Sequence, residues 1–273
     1  MSNTLRDALA ALPEPRTVFV SGAGLSAASG IPTFRGPDGY WTVGSTHYRP
    51  EELATNAAFQ RMPREVWRWY LFRKAVCNRA EPNGGHQLLA DLEAELGDRF
   101  TLVSQNVDGL HLRAGNSLGR TYQIHGNIDF MRCLDPECEP LFEPIPESVP
   151  QLSKEDLLDD EGFAQLRCSS CGSPTRPHVL WFDECYDEAL FRFESSLAAA
   201  READLVVTIG TSGATNLPHQ VVATAVRRGA LFIDINPESN PFSMLADDYP
   251  RGTWLQGTAE DMLPEVAALL SSS

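Results

Sequence analysis

Apolar residues in this chain gather in short unbroken runs, and each run empties into a polar or glycine-bearing loop. The run TVFVSGAG, residues 17–24, is the pattern of a buried strand feeding a tight turn. Residues 100–103, 205–209 and 230–235 read as further strands, followed by SQNVDG, GTSG and NPESN. Helical stretches fall between them, over 85–96 and 218–228, and a short amphipathic helix over 5–12 ends at Pro13. Strands alternating with helices, with polar loops at the strand carboxyl ends, predict an α/β fold. It is a Rossmann-like, doubly wound parallel sheet, whose ligands bind at those loop ends.

Two segments break the alternation. Residues 41–80 are aromatic-rich and read as a helical insert over the ligand face. Residues 132–176 carry four cysteines, several prolines and the acidic run 154–161, and read as a small metal-stapled module plus an exposed loop. The expected organisation is therefore one unit over 1–273. Its large domain is drawn from 1–40, 81–131 and 177–273, with the insert at 41–80 and the metal module at 132–176. No internal repeat is visible.

Composition narrows the picture. Apolar residues make up 42% of the 273, enough for a sizeable core. A formal charge of −15 disfavours a nucleic-acid surface, since affinity for phosphate backbones rests on Lys and Arg contacts. The lysines are Lys74 and Lys154 alone, which reads as composition bias. No stretch approaches the roughly 20 apolar residues of a membrane span. The N-terminal segment lacks a long apolar signal core and contains Asp7 and Glu14, so cytoplasm is the expected location.

The candidate chemistry lies in four places. Gly22-Ala23-Gly24-Leu25-Ser26-Ala27 fits G-x-G-x-x-G/A directly after a strand. There the first glycine allows a tight turn, the second lets backbone approach a pyrophosphate, and a small third residue permits close packing. A dehydrogenase of this type wants an acidic residue about 20 positions on, closing a second strand. PTFRGPDGYW is no strand, so hydride transfer is disfavoured. Gln105, Asn106 and Asp108 follow another strand, where amide and carboxylate groups can hold a carboxamide or simply close an Asx turn. Any of the six histidines, at 47, 86, 111, 125, 178 and 219, has the chemistry of a general base. Cys133 and Cys138 have four residues between them, Cys168 and Cys171 have two, and 29 separate the pairs. Such pairs suit one tetrahedral, closed, structural Zn2+ rather than disulfides, leaving Cys77 and Cys185 as ordinary thiols.

The order of these pieces, VSGAGLSAASGIPTFRG, then SQNVDGLH, then His125-Gly126, then the cysteine quartet, resembles the sirtuins, NAD-consuming lysine deacylases. The resemblance covers about residues 18–270 and implies roles residue by residue. Gly22, Ala23, Gly24, Ser26, Phe34 and Arg35 would form the NAD loop, with Phe34 shielding the reactive ribose and Arg35 on phosphate. Asn106 and Asp108 would position nicotinamide, Gln105 and Asn106 its ribose, and Val107 an apolar wall. Gly210, Thr211 and Ser212 would contact ribose and phosphate, and Asn236 the adenosine ribose. His125 would be the catalytic base, with Asn106 beside it, while His111 is structural. HVLWFDE, residues 178–184, resembles the strand that pairs with the acyl-lysine peptide, giving Leu180, Trp181 and Phe182 substrate contacts. Asp183 stands where the family usually has glycine, and GATNLP after Ser212 also departs from the common pattern. Tyr70 and Arg73 match the Tyr-x-x-Arg pair of the subgroup that removes succinyl and malonyl groups. A phenol beside arginine offers a charge-assisted fork for a carboxylate, and a helical packing pair is the plainer reading.

The resemblance implies transfer of an acyl group, acetyl or else succinyl or malonyl, from protein lysine to NAD-derived ADP-ribose, releasing nicotinamide. NAD is then a cosubstrate, the zinc structural, and acyl-lysine proteins the partners. NAD hydrolysis or ADP-ribosyl transfer on the same scaffold is the competing enzymatic reading, and a non-catalytic NAD or ADP-ribose module the third. Retention of His125 beside Asn106 and Asp108 counts against a pure binder.

Overall fold

The computed structural model describes residues 3–31, 41–43 and 46–270. Eleven strands follow in chain order: β1 Thr17–Ser21, β2 Trp41–Val43, β3 Thr46–Tyr48, β4 Phe100–Ser104, β5 Thr121–Gln123 and β6 Gly126–Cys133. They continue as β7 Glu143–Pro144, β8 Thr175–Val179, β9 Leu205–Ile209, β10 Leu231–Ile235 and β11 Gly252–Leu255. Six of them form one sheet in the order β11-β10-β9-β1-β4-β5, every neighbouring pair parallel. The chain builds outward from β1 through β4 and β5, then returns to β1's other side for β9, β10 and β11. This is the doubly wound order, and its switch point lies between β1 and β9.

The buried sheet strands explain the unbroken apolar runs. Phe19 of β1 points into one apolar layer with Val207, Ile233 and the helix Ala259–Leu270, while Val18 and Val20 face the other with Phe232 and the helix Asn216–Arg227. With both faces covered, period-two alternation disappears from the sequence. One polar pair interrupts the second layer. Asp234 accepts from Thr208 Oγ1 at 2.5 Å and from Asn240 Nδ2 at 2.9 Å, so its burial is compensated by hydrogen bonds.

A third apolar cluster joins the helix Pro63–Arg79 to the cysteine-bearing segment. Trp67, Tyr70 and Leu71 pack with Ile128, Met131, Val179 and Trp181. Here β6 pairs antiparallel with β7 and β8. The loop expected to be exposed is only half so. The acidic side chains of residues 154–157 face solvent, but Val149, Leu152 and Leu158 are buried in this cluster. Arg64 donates to the Leu158 carbonyl, and Arg68 to those of Asp156 and Lys154, which clamps the loop to the helix. Those contacts are long-range and leave no periodic trace. No helix among the described residues is long and apolar enough to cross a membrane.

Candidate active site

The loops leaving β1, β4 and β9 meet at the switch point. Gly22 and Gly24 are required there, for a reason the sequence motif did not suggest. A Cβ on Gly22 would lie 2.7 Å from Thr211 Cα, and one on Gly24 would lie 2.8 Å from Gly210 Cα. Gly22 has φ −126°, open to any residue, so the tight turn itself does not demand glycine. The two loops simply cross too closely for side chains, and Gly24 N–H donates to Gly210 O at 2.8 Å. Ala23 and Gly24 remain exposed on the rim, as does Ser212. Phe34 and Arg35 lie outside the described residues.

Beneath this rim sits a cluster of polar side chains. Asn106 Nδ2 donates to Gly22 O at 3.1 Å and to Ser26 Oγ at 3.0 Å. Ser26 Oγ in turn donates to Asp108 Oδ2 at 2.7 Å, and Leu110 N–H donates to Asp108 Oδ1 at 2.9 Å. Burial raises the Asp108 carboxyl above its ordinary range, against the opposing pull of these bonds. Gln105 Nε2 donates to Thr211 Oγ1 at 2.9 Å, and Thr215 Oγ1 donates to Gln105 Oε1 at 2.9 Å. Asn236 Nδ2 donates to Thr211 O at 2.9 Å, so it anchors the loop after β9. The motif residues on the three loops are thus one hydrogen-bonded network.

His125 lies between β5 and β6, at the edge of that network. Its Nδ1 is 3.0 Å from the Gln105 carbonyl, which can only accept, so Nδ1 carries the proton and Nε2 the lone pair. Burial pushes the imidazole down to about 4, with the Gln105 bond opposing, so the ring is neutral at pH 7. Gly126 sets its direction. With φ 84° and an imagined Cβ 2.1 Å from His178 O, only glycine fits where the chain turns from His125 into β6. His111 is buried and bonded to Ser21 Oγ at 2.9 Å, away from this opening.

The segment 178–184 departs from the expected strand. Pairing stops at Val179, and Glu184 N–H donates back to Trp181 O at 3.0 Å to close a turn. Leu180 N–H is taken by His125 O, Phe182 N–H by Ala54 O, and Trp181 N–H by Glu184 Oε2, all at 2.9 Å. Within this turn the Asp183 carboxylate accepts from Asn56 N–H at 2.8 Å and Ala57 N–H at 3.1 Å. It fastens the turn to the helix Asn56–Arg61. Trp181 is therefore core, 1% exposed, with its indole donating to Tyr70 Oη at 3.0 Å, while Phe182 is exposed. Leu180 is partly buried beside His125.

Tyr70 and Arg73 project from the helix Pro63–Arg79. The Tyr70 ring packs against Trp69, in the cluster that also holds Val107, and Arg73 lies 5.0 Å over the Trp69 ring. Burial drives the phenol up to about 12, with Arg73 the main opposing charge, so Tyr70 keeps its proton. The oxygen already accepts from Trp181, which directs its O–H elsewhere.

The four cysteine sulfurs lie within 4.8 Å of one another, with Cys133–Cys171 at 3.5 Å and Cys138–Cys168 at 3.6 Å. A tetrahedron of Zn–S bonds of about 2.3 Å puts sulfurs about 3.8 Å apart, so this donor set fits one zinc with no open ligand position. Cys77 is buried and Cys185 exposed, both outside the quartet.

Sequence reading missed Tyr186 and Thr215. Tyr186 Oη lies 2.8 Å from His125 Nε2, and the sequence around it carries no motif. Thr215 falls in GATNLP, whose departure from the family pattern was the one available signal.

Comparisons with known proteins agree with this geometry. Residues 22–216 match the model of the Sir2 family. An NAD-dependent protein deacylase of Leptospira interrogans serogroup Icterohaemorrhagiae serovar Lai is 40% identical over 247 residues, covering 90% of this chain and 89% of that protein. A protein of the same description from Aquifex aeolicus is 39% identical, covering 84% and 87%. Among solved structures, a Sir2 homolog–NAD complex superposes with a TM-score of 0.77 at 32% identity, covering all of this chain and 94% of the other. Fold, family match and near-full-length relatives converge, and the chain belongs to the Sir2 family.

Proposed function

We propose that this protein is an NAD-dependent lysine deacylase and that His125 is its general base. The observation that carries the reading is the tautomer of His125. A carbonyl holds Nδ1, so Nε2 carries the lone pair, on a ring fixed through Gln105 to the polar network at the sheet's switch point. The donor set fits NAD as cosubstrate, with amide, hydroxyl and carboxylate groups converging below an exposed backbone rim. NAD supplies the ribose to which the acyl group is passed and nicotinamide as the leaving group. Asn106 and Asp108 would hold the carboxamide end, Gln105 and Thr211 the ribose between, and Asn236 the adenosine side. Val107 and Leu180 wall the passage by which acyl-lysine would reach His125. The quartet Cys133, Cys138, Cys168 and Cys171 would hold zinc, which fastens its module and takes no part in proton transfer. Relatives named as NAD-dependent protein deacylases support the reading.

The acyl group we assign is one that bears a carboxylate, such as succinyl or malonyl. Tyr70 keeps an O–H to donate and belongs to the apolar cluster that Val107 borders, and Arg73 supplies a positive charge on the same helix. Nicotinamide release is measured with acetyl-lysine and succinyl-lysine versions of one peptide. The assignment predicts a succinyl preference that Arg73→Met reverses. An acetyl preference unchanged by Arg73→Met would make the pair a packing contact. Equal release with no peptide would point to NAD hydrolysis.

A further inference from the structure

Tyr186 sits in the segment between β8 and the helix Glu188–Phe191, where its phenol oxygen lies 2.8 Å from His125 Nε2. The roles in that hydrogen bond are set by the other side of the ring. Because the Gln105 carbonyl binds Nδ1, Nε2 accepts and the phenol must donate. The lone pair that would take a proton from a ribose hydroxyl is therefore already engaged. The contact is supported on several sides. The Tyr186 ring stacks on the imidazole, with centroids 5.9 Å apart and 27° between planes, and on Phe193 behind it. The Gln105 side chain accepts from the Thr215 hydroxyl at 2.9 Å and donates to Thr211 Oγ1 at 2.9 Å. Gln105 thus joins His125, through its carbonyl, to the loop after β9, through its side chain.

We propose that Tyr186 is a further residue of the reaction site. Its hydroxyl covers the base nitrogen of His125 until a ribose hydroxyl takes its place. This rests on the deacylase reading for what the newcomer is, but the cover itself is a property of the protein alone. An O–H donor is exchanged for another O–H donor, so the hand-over costs little in hydrogen bonding. Water reaching the unliganded site meets a base already occupied. Gln105 connects His125 to the loop after β9 that would hold part of the dinucleotide, so filling that region acts on the support of the covered base.

The test needs no turnover. Diethyl pyrocarbonate carbethoxylates neutral imidazole at an accessible ring nitrogen, and peptide mass spectrometry separates His125 from the other five histidines. Tyr186→Phe keeps the stacked ring and removes only the donor. The proposal expects His125 to react about fivefold faster in this variant than in the wild type, the factor that corresponds to the net strength of one hydrogen bond. ADP-ribose is expected to protect His125 in both proteins. An unchanged or slower rate in a variant that melts as the wild type does would overturn the cover. Acceleration without protection by ADP-ribose would overturn the exchange. Neither outcome depends on deacylation, which stands or falls separately on nicotinamide release.

Discussion

Asp183 offers a sharp test of how the turn beside the base is held. Its two carboxylate oxygens accept from the first backbone N–H groups of the helix Asn56–Arg61, at 2.8 and 3.1 Å. Thr55 Oγ1 satisfies the N–H of Ala58. Replacing Asp183 by alanine leaves two helix donors to water and removes a negative charge from the helix N-terminus. Loss of a capping side chain costs about 1 kcal/mol, and the charge contributes about 0.3–1 kcal/mol more at an exposed site. The site is exposed, so the lower part of that range applies, for a sum of about 1.3 kcal/mol. For a chain somewhat larger than 250 residues, that lowers the melting temperature by about 2 °C. Asp183→Asn keeps one acceptor and loses the charge, and is expected to fall about halfway between wild type and alanine. Adding 0.5 M salt, in thermal melts followed by far-UV circular dichroism, should narrow the gap between wild type and asparagine while leaving that between asparagine and alanine. An alanine variant as stable as the wild type would refute the clamp.

Burial drives the His178 imidazole down to about 3, stacked between Phe142 and Phe191. An unfolded histidine binds a proton near pH 6.5 where this one does not, so stability is full above that pH and declines as pH falls towards 3. At pH 5 the loss is about 2 kcal/mol, and His178→Phe should flatten urea-denaturation stability by about that much between pH 7 and 5. Gly126→Ala places a Cβ against the His178 carbonyl in a left-handed backbone, and is expected to cost at least about 2 kcal/mol in the same assay. Cys171→Ser removes one of four sulfurs, and metal analysis should show the bound zinc per chain falling with a lower melting temperature. Full zinc content in that variant would contradict the quartet as the ligand set.

Much of the architecture could be read from the chain because buried parallel strands leave an unmistakable mark. Runs such as LVVTI and LFIDI lie where the sheet places them, and their following loops carry the polar groups of the site. The cysteine spacing likewise reports a local constraint. What stayed hidden depends on distant partners. Gly22 and Gly24 are glycines because of the loop at Gly210, nearly 190 residues away. HVLWFDE carries strand-forming residues, yet its end is a turn bonded to Ala54 and Asn56, more than 120 residues earlier. Tyr186 meets His125 only because β8 returns alongside β6. Leu152 and Leu158 are anchored by a helix some 90 residues earlier, which no local periodicity records.

The central claim is that this chain passes an acyl group from lysine to NAD-derived ribose with His125 as base. The direct measurement follows NAD, a succinyl-lysine peptide and the purified protein by mass spectrometry, quantifying nicotinamide, free-lysine peptide and O-acyl-ADP-ribose together. The account predicts equal amounts of all three from the wild type, and all three lost together in His125→Ala. Nicotinamide with free ADP-ribose and an unaltered peptide would contradict it.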